Sequence, residues 1–213
     1  MIIEYSQVKE NVNSKQILKK IKDLEKKGAQ IKKVNLPLLK HALAIYYLIM
    51  PAEVSANLAR YDGIRYGFSQ FEKSKNLFDF YLKSRSQGLG EEVKRRIILG
   101  TYSLSAGHKE EFYLRAQKIR SLLKKSFDEV FEQKVDCLIS PTTPTSAFAL
   151  GEKKDNPLNM YLSDILTVPA NLAGLPAISL PLGIDKGLPM GWQITGNYLE
   201  DDKILDLAQL IGE

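Results

Sequence analysis

Apolar residues first fall into a helical rhythm at Ile17, Leu18, Ile21 and Leu24, set among lysines, and this predicts a helix over residues 14–27. Gly28 follows in the place of a C-terminal cap. Residues 29–37 alternate and stop at Pro37, which predicts a short strand. From 38 to about 60 the chain is mostly apolar and helical in character, through Leu39, Leu43, Tyr46, Tyr47, Ile49 and Val54, and Pro51 is expected to start or kink a segment there. Residues 61–90 are polar and marked by glycines, which predicts a long loop with a short helix. A further helix is expected over 91–105. The strongest covers 108–132, where Phe112, Ala116, Ile119, Leu123, Phe127 and Val130 recur every three or four residues and are expected to face one core.

The last third changes character. Residues 135–140 predict a buried strand, ended by the breaker segment 141–145. Residues 177–182 and 190–195 predict two more strands, joined by a turn around Asp185-Lys186-Gly187. Asp201 or Asp202 is expected to cap a final helix reaching Ile211. Strands interleaved with helices make an α/β chain. Its strands are expected to be too few and too scattered to close a sheet of their own.

Composition narrows the function classes. With 44% hydrophobic and 26% charged residues the 213-residue chain has the make-up of an ordinary soluble protein, so a core can form. The net charge of +5 gathers largely in Lys15, Lys19, Lys20, Lys22, Lys26, Lys27, Lys32 and Lys33. That run reads as the solvated face of a helix, with attraction to phosphate backbones as the alternative; no aromatic residue interleaves it as a stacking surface requires. Cys137, the only cysteine, excludes an intrachain disulfide and lies in an apolar run, where a buried inert thiol is expected. His41 and His108 stand far apart without neighbouring ligands, so no metal site is expected. A secretory signal segment is not expected, nor is a membrane span of about 20 apolar residues; the expected compartment is the cytoplasm. No Gly-x-Ser-x-Gly elbow and no Ser-Ser pair occurs, so no catalytic residue is assigned.

Four segments carry a resemblance. They are VSANLARYDGIRYG at 54–67, EVKRRIILGTY at 92–102 running on through SAG at 105–107 to QKIR at 117–120, SPTTPTSAF at 140–148, and PANLAGLPAIS at 169–179. The last two resemble many amidase-signature proteins. The first two resemble more specifically the A subunit, the glutaminase component, of the amidotransferases that act on Glu-tRNA(Gln) and Asp-tRNA(Asn). The fold implied is the C-terminal half of the amidase-signature α/β fold, a mixed sheet covered by helices, with residues 1–213 forming a partial domain.

The resemblance implies chemistry that this chain holds only in part. In that family a Ser–Ser–Lys triad hydrolyses glutamine through an acyl-enzyme, with backbone N–H groups on the oxyanion. Those residues lie upstream of the region that matches, so the chain is expected to be inactive alone. By motif position Arg96 resembles the arginine that pairs with the α-carboxylate of glutamine, a task suited to a planar guanidinium. Asp164 resembles the carboxylate that receives the α-ammonium, and Tyr46 a tyrosine lining the same pocket. The implied partners are glutamine, the upstream half of the same polypeptide, and the amidotransferase's B and C subunits. No cofactor is expected in this chain; ATP and Mg²⁺ are expected in the B subunit, which would also handle tRNA. The alternatives are another amidase-signature hydrolase fragment, a non-catalytic scaffold derived from that fold, and a basic nucleic-acid-binding module. Asp62, Arg65 and Tyr66 form a polar cluster read either as functional loop residues or, preferably, as a structural hydrogen-bond network.

Overall fold

A computed structural model of the chain describes residues 2–3, 12–152 and 160–212, with side chains from residue 16 onward. The chain divides into two compact units, residues 1–43 with 120–213, and residues 44–119.

The first unit is built on a five-stranded sheet of order β2-β1-β3-β5-β4, comprising β1 (Ile2–Ile3), β2 (Lys33–Val34), β3 (Leu138–Pro141), β4 (Ala177–Asp185) and β5 (Leu188–Thr195). β1 runs parallel to β2 and β3, while β3 pairs with β5 and β5 with β4 antiparallel. The mixed sheet matches the expectation. The strands nevertheless close one sheet: β2 falls inside the strand expected over 29–37, and β1, two residues long, joins by tertiary pairing that so short a run cannot announce. The β4–β5 hairpin turns at Lys186 and Gly187, both at positive φ (50° and 81°). Two such residues suit the twist of a two-residue hairpin. Pro141 pairs with Trp192 and so ends β3 from within, where a breaker beyond the strand was expected.

Helix α1 (Val12–Lys26) buries Ile17, Ile21 and Leu24, and the last helix of the chain (Asp201–Gly212) buries Ile204. Both pack on Cys137, Ile139, Trp192 and Ile194 in one core, flanked by Ile178, Leu180 and Leu182 of β4. Alternation puts these strand residues on a single face. Leu18 was expected in this stripe but is 54% exposed, one position off the buried face. Lys19, Lys22, Lys26 and Lys27 are exposed, as a solvated face requires; the side chain of Lys15 lies outside the described residues. Lys20 reaches back over the Trp192 ring, 5.7 Å from its centre. Asp201 and Asp202 sit in the first turn of the last helix, beside its positive end, instead of capping it.

The second unit is helical. Helix α2 (Ala42–Leu58) follows a 3₁₀ turn at Pro37–His41 and carries Pro51 in its interior. The proline was expected to start or kink a segment; here the helix runs through it. Helix α3 (Leu77–Gly88) occupies much of the stretch read as loop. Its start has a signature in the sequence: Asn76 accepts a hydrogen bond from the Asp79 amide, and Asp79 Oδ2 accepts from the Lys75 amide and the Lys83 ammonium. The Lys83 hydrogen bond, then the Lys75 amide, hold Asp79 below the ordinary carboxylate range. This contribution to stability is present at neutral pH and fades as pH falls through the lowered folded-state value.

Helix α4 (Glu91–Leu104) matches its expected span. The helix read over 108–132 opens with a wider π-helical turn at Glu110–Leu114, where the Leu114 amide bonds to the Lys109 carbonyl, and continues as α5 (Arg115–Phe131). The boundary between the units falls between Ile119 and Arg120. Ala116, Leu123, Phe127 and Val130 of the helix's apolar stripe are buried.

Helices α2 and α4 touch backbone to backbone. A Cβ built on Gly100 would overlap the Pro51 carbonyl, so only glycine admits this approach. Gly100→Ala is expected to destabilise the protein by about 1–3 kcal/mol, since overlap with backbone is not relieved by a rotamer change. A urea melt of the assembled protein checks this, and an unchanged midpoint would show that the two helices can part freely.

Candidate functional site

Arg96 lies on α4, one turn before Gly100, with 30% of its side chain exposed. Its Nε donates to Glu92 Oε1 at 2.9 Å, a helical i,i+4 pair, and its Nη1 points at Met50 Sδ of α2 at 3.8 Å. Glu92 also receives Arg95 Nη1 at 2.5 Å. Burial alone would lower the Arg96 pKa. The Glu92 hydrogen bond and charge outweigh it, helped by Tyr47 and Tyr46, and the guanidinium is held more firmly cationic than usual. Tyr46 and Tyr47 stand edge to face, ring centres 5.2 Å apart. Arg96 and Tyr46, both singled out by the resemblance, lie in the same unit. Among the described residues Arg96 Nη2 has no hydrogen-bond partner. The site therefore offers a fixed cation with donors to spare for a carboxylate.

Asp164 belongs to the other unit. It ends a 3₁₀ turn, Leu162–Asp164, and is exposed. Its carbonyl accepts from both the amide and the hydroxyl of Thr167, each at 3.1 Å. Helix α6 (Val168–Ala173) follows, ending on Gly174 at φ 71°. Arg120 Nε donates to the Leu172 carbonyl at 2.8 Å, a cation set at the negative end of that helix. The motif around 169–174 is therefore accounted for by helix packing and capping, with all of Val168, Pro169, Ala170, Leu172 and Ala173 buried.

Asp62, Arg65 and Tyr66 lie in the segment between α2 and α3 and make contacts local to it. Asp62 Oδ1 accepts from the Ile64 amide at 2.9 Å, Arg65 approaches Asp62 at 3.9 Å, and Tyr66 meets the Tyr61 ring edge-on. His108 sits in an aromatic group with Tyr102 and Phe112. Among the described residues no three His, Cys, Asp or Glu side chains are placed to hold a metal, and no helix is long and apolar enough to cross a membrane. A groove of about 470 Å³ in the helical unit, lined by Phe78, Tyr81, Leu82, Leu89, Ile97 and Ile98, contains none of the residues chosen from sequence.

Sequence reading missed a polar face on the sheet. Ser140, Gln193 and Thr195 are buried opposite the apolar core, and Gln193 Nε2 donates to the Leu166 carbonyl at 3.2 Å. Next to them Thr142 Oγ1 and Ser179 Oγ lie 2.7 Å apart, over Gly191, where a Cβ would crowd both hydroxyls. Ser179 alternates with Ile178 and Leu180, and Gln193 with Trp192 and Ile194, so a second face was legible; its burial was not.

The sequence profile of the amidase family matches residues 4–205. The chain belongs to the amidase family. Among relatives, the A subunit of glutamyl-tRNA(Gln) amidotransferase from Trichodesmium erythraeum is 54% identical over 191 residues, 89% of this chain and 39% of that protein. Its counterpart of the same name from Halalkalibacterium halodurans is 52% identical over 201 residues, 94% of this chain and 41% of that protein. The crystal structure of the Thermotoga maritima protein of that name covers 95% of this chain at 36% identity and a TM-score of 0.67, over 39% of its own length. An allophanate hydrolase of Kluyveromyces lactis, 23% identical with a TM-score of 0.70, covers 99% of this chain and 31% of its own, and shares the fold. This amidase chain spans about 40% of the length of the relatives it matches, and corresponds to their C-terminal half. The resemblance read from the four motifs holds, and with it the amidase-signature fold.

Within this amidase chain Cys137 is buried, and burial pushes its thiol up from the ordinary value. A raised thiol carries little thiolate near neutrality. Native protein at pH 8 is expected to react with a disulfide reagent many times more slowly than the same chain in denaturant, as followed by absorbance of the released thiolate. Equal rates would overturn the inert assignment.

Proposed function

We propose that the chain is the C-terminal part of the glutaminase subunit of a tRNA-dependent amidotransferase. In the complete subunit glutamine is hydrolysed to glutamate and ammonia, and the ammonia converts Glu-tRNA(Gln) to Gln-tRNA(Gln) or Asp-tRNA(Asn) to Asn-tRNA(Asn). The observation that carries this reading is the match above 50% identity to glutamyl-tRNA(Gln) amidotransferase polypeptides along most of the chain. Acylation falls to the Ser–Ser–Lys residues of an upstream half. The present chain supplies recognition: Arg96 for the α-carboxylate, Asp164 for the α-ammonium, and Tyr46 as a wall beside Arg96. Each assignment stands on its own residue. For Arg96 it is supported by a guanidinium fixed at Nε and held cationic by Glu92.

Partners follow from the same reading. The B subunit would use the ammonia with ATP and Mg²⁺ and would hold the tRNA, and a small C subunit would support the assembly, all in the cytoplasm. An unfinished fold also fits the surface. β4 lies at the sheet edge with Ala177, Ser179 and Pro181 exposed, and Phe71, Phe78 and Ile98 are each more than two-thirds exposed. Such edges and patches call for cover.

Two outcomes test the proposal. The isolated chain is expected to hydrolyse no glutamine and to bind apolar reporter dyes, whereas co-expression with an upstream half carrying the Ser–Ser–Lys residues is expected to give a cooperatively melting, active complex. Serine-dependent glutaminase activity of residues 1–213 alone, or a well-behaved monomer indifferent to the upstream half, would count against it. In the active complex Arg96→Ala is expected to weaken glutamine binding by roughly 2–5 kcal/mol, the loss typical of a buried charge-assisted contact, while leaving assembly intact. Titration calorimetry with glutamine separates the two effects, and unchanged affinity would remove Arg96 from the site.

A further inference from the structure

We propose that Gln193 is a positioning residue for Asp164, tying the turn that carries this carboxylate to an interior strand of the sheet. The inference rests on the reading of Asp164 as the group that receives an α-ammonium.

Strand β5 decides where Gln193 points. Trp192 and Ile194 on either side are fully buried against the helices, so alternation sends the Gln193 side chain to the opposite face. There it is 6% exposed. Its Nε2 donates to the Leu166 carbonyl at 3.2 Å and meets Ser140 Oγ of β3 at 3.4 Å. Leu166 is itself fully buried, two residues beyond Asp164. Between them the chain closes tightly, for the Thr167 amide and hydroxyl both bond back to the Asp164 carbonyl. One amide on an interior strand thus fixes the base of the turn, while the Asp164 residue stands at the surface.

A buried glutamine is a demanding choice at this position. An apolar side chain of equal length would fill the space without ordering a polar head or risking an unpaired amide. What only the amide provides is the bond to a backbone carbonyl, and this carbonyl lies in the segment that presents Asp164. A binding group acts with full strength only when its support is locked.

The experiment uses the glutaminase polypeptide completed by an upstream half, with two substrates: glutamine, and 4-carbamoylbutanoate, which is glutamine without the α-ammonium. Asp164→Asn is expected to raise KM for glutamine and to leave the analogue unaffected. Gln193→Met, which keeps the volume, is expected to raise KM for glutamine about tenfold, a misplaced and not a lost charge contact, with kcat nearly constant and the analogue again unaffected. The double variant is expected to be no worse than Asp164→Asn alone. Equal losses on both substrates, or losses that add in the double variant, would make Gln193 a core residue only, with the Asp164 reading intact. An Asp164→Asn variant that treats both substrates alike would overturn the reading of the site and the inference with it. Should the methionine variant not fold, Gln193→Asn keeps an amide one methylene too short, and hydrogen exchange replaces kinetics. Faster exchange over residues 160–167 with β3 and β5 still protected supports the tie; unchanged or uniformly faster exchange overturns it.

Discussion

Trp192 and Ile194 leave β5 on one side and sink into the packing of α1 and the last helix; Gln193 and Thr195 leave it on the other and are buried as well. A strand covered on both faces can shift by one residue only by carrying every side chain into the wrong environment. Here such a slip would press the Gln193 amide into the apolar core and swing Trp192 towards Ser140. Register in β5 is therefore fixed, and through it the register of β3 and β4, which pair with it on either side. The turn bearing Asp164 hangs from this same strand through the Leu166 carbonyl.

The helical unit rests on a different constraint. Gly100 against Pro51 lets α2 and α4 approach at backbone distance, and across the same two helices Arg96 Nη1 points at Met50 Sδ. Glu92 then fixes the guanidinium at one edge. An exposed pair of this kind contributes little to stability. Its value lies in orientation, since a fork held at Nε presents its remaining donors in a set direction.

Membership of the amidase family joins these local facts. The chain corresponds to the C-terminal half of relatives more than twice its length, so both units belong to a larger polypeptide fold in those proteins.

Periodicity by itself determined α1, α4 and the β4–β5 hairpin, because each has a local signal: an apolar stripe, a run of helix formers, a turn that demands positive φ at Lys186 and Gly187. Resemblance singled out Arg96, Asp164 and Tyr46 as candidates, and only the fold sets Arg96 and Tyr46 in one unit, while the capping signature at Asn76 and Asp79 is masked by the polar, glycine-marked stretch around it. Only tertiary structure decided the rest. The strand Ile2–Ile3 is too short to have a period, and exists because the strands on either side offer hydrogen bonds. Pro51 stays helical because the helix around it is packed from outside. Gln193 is indistinguishable in sequence from a solvent-facing glutamine, since alternation tells which face a side chain takes and burial depends on what the rest of the chain lays over that face.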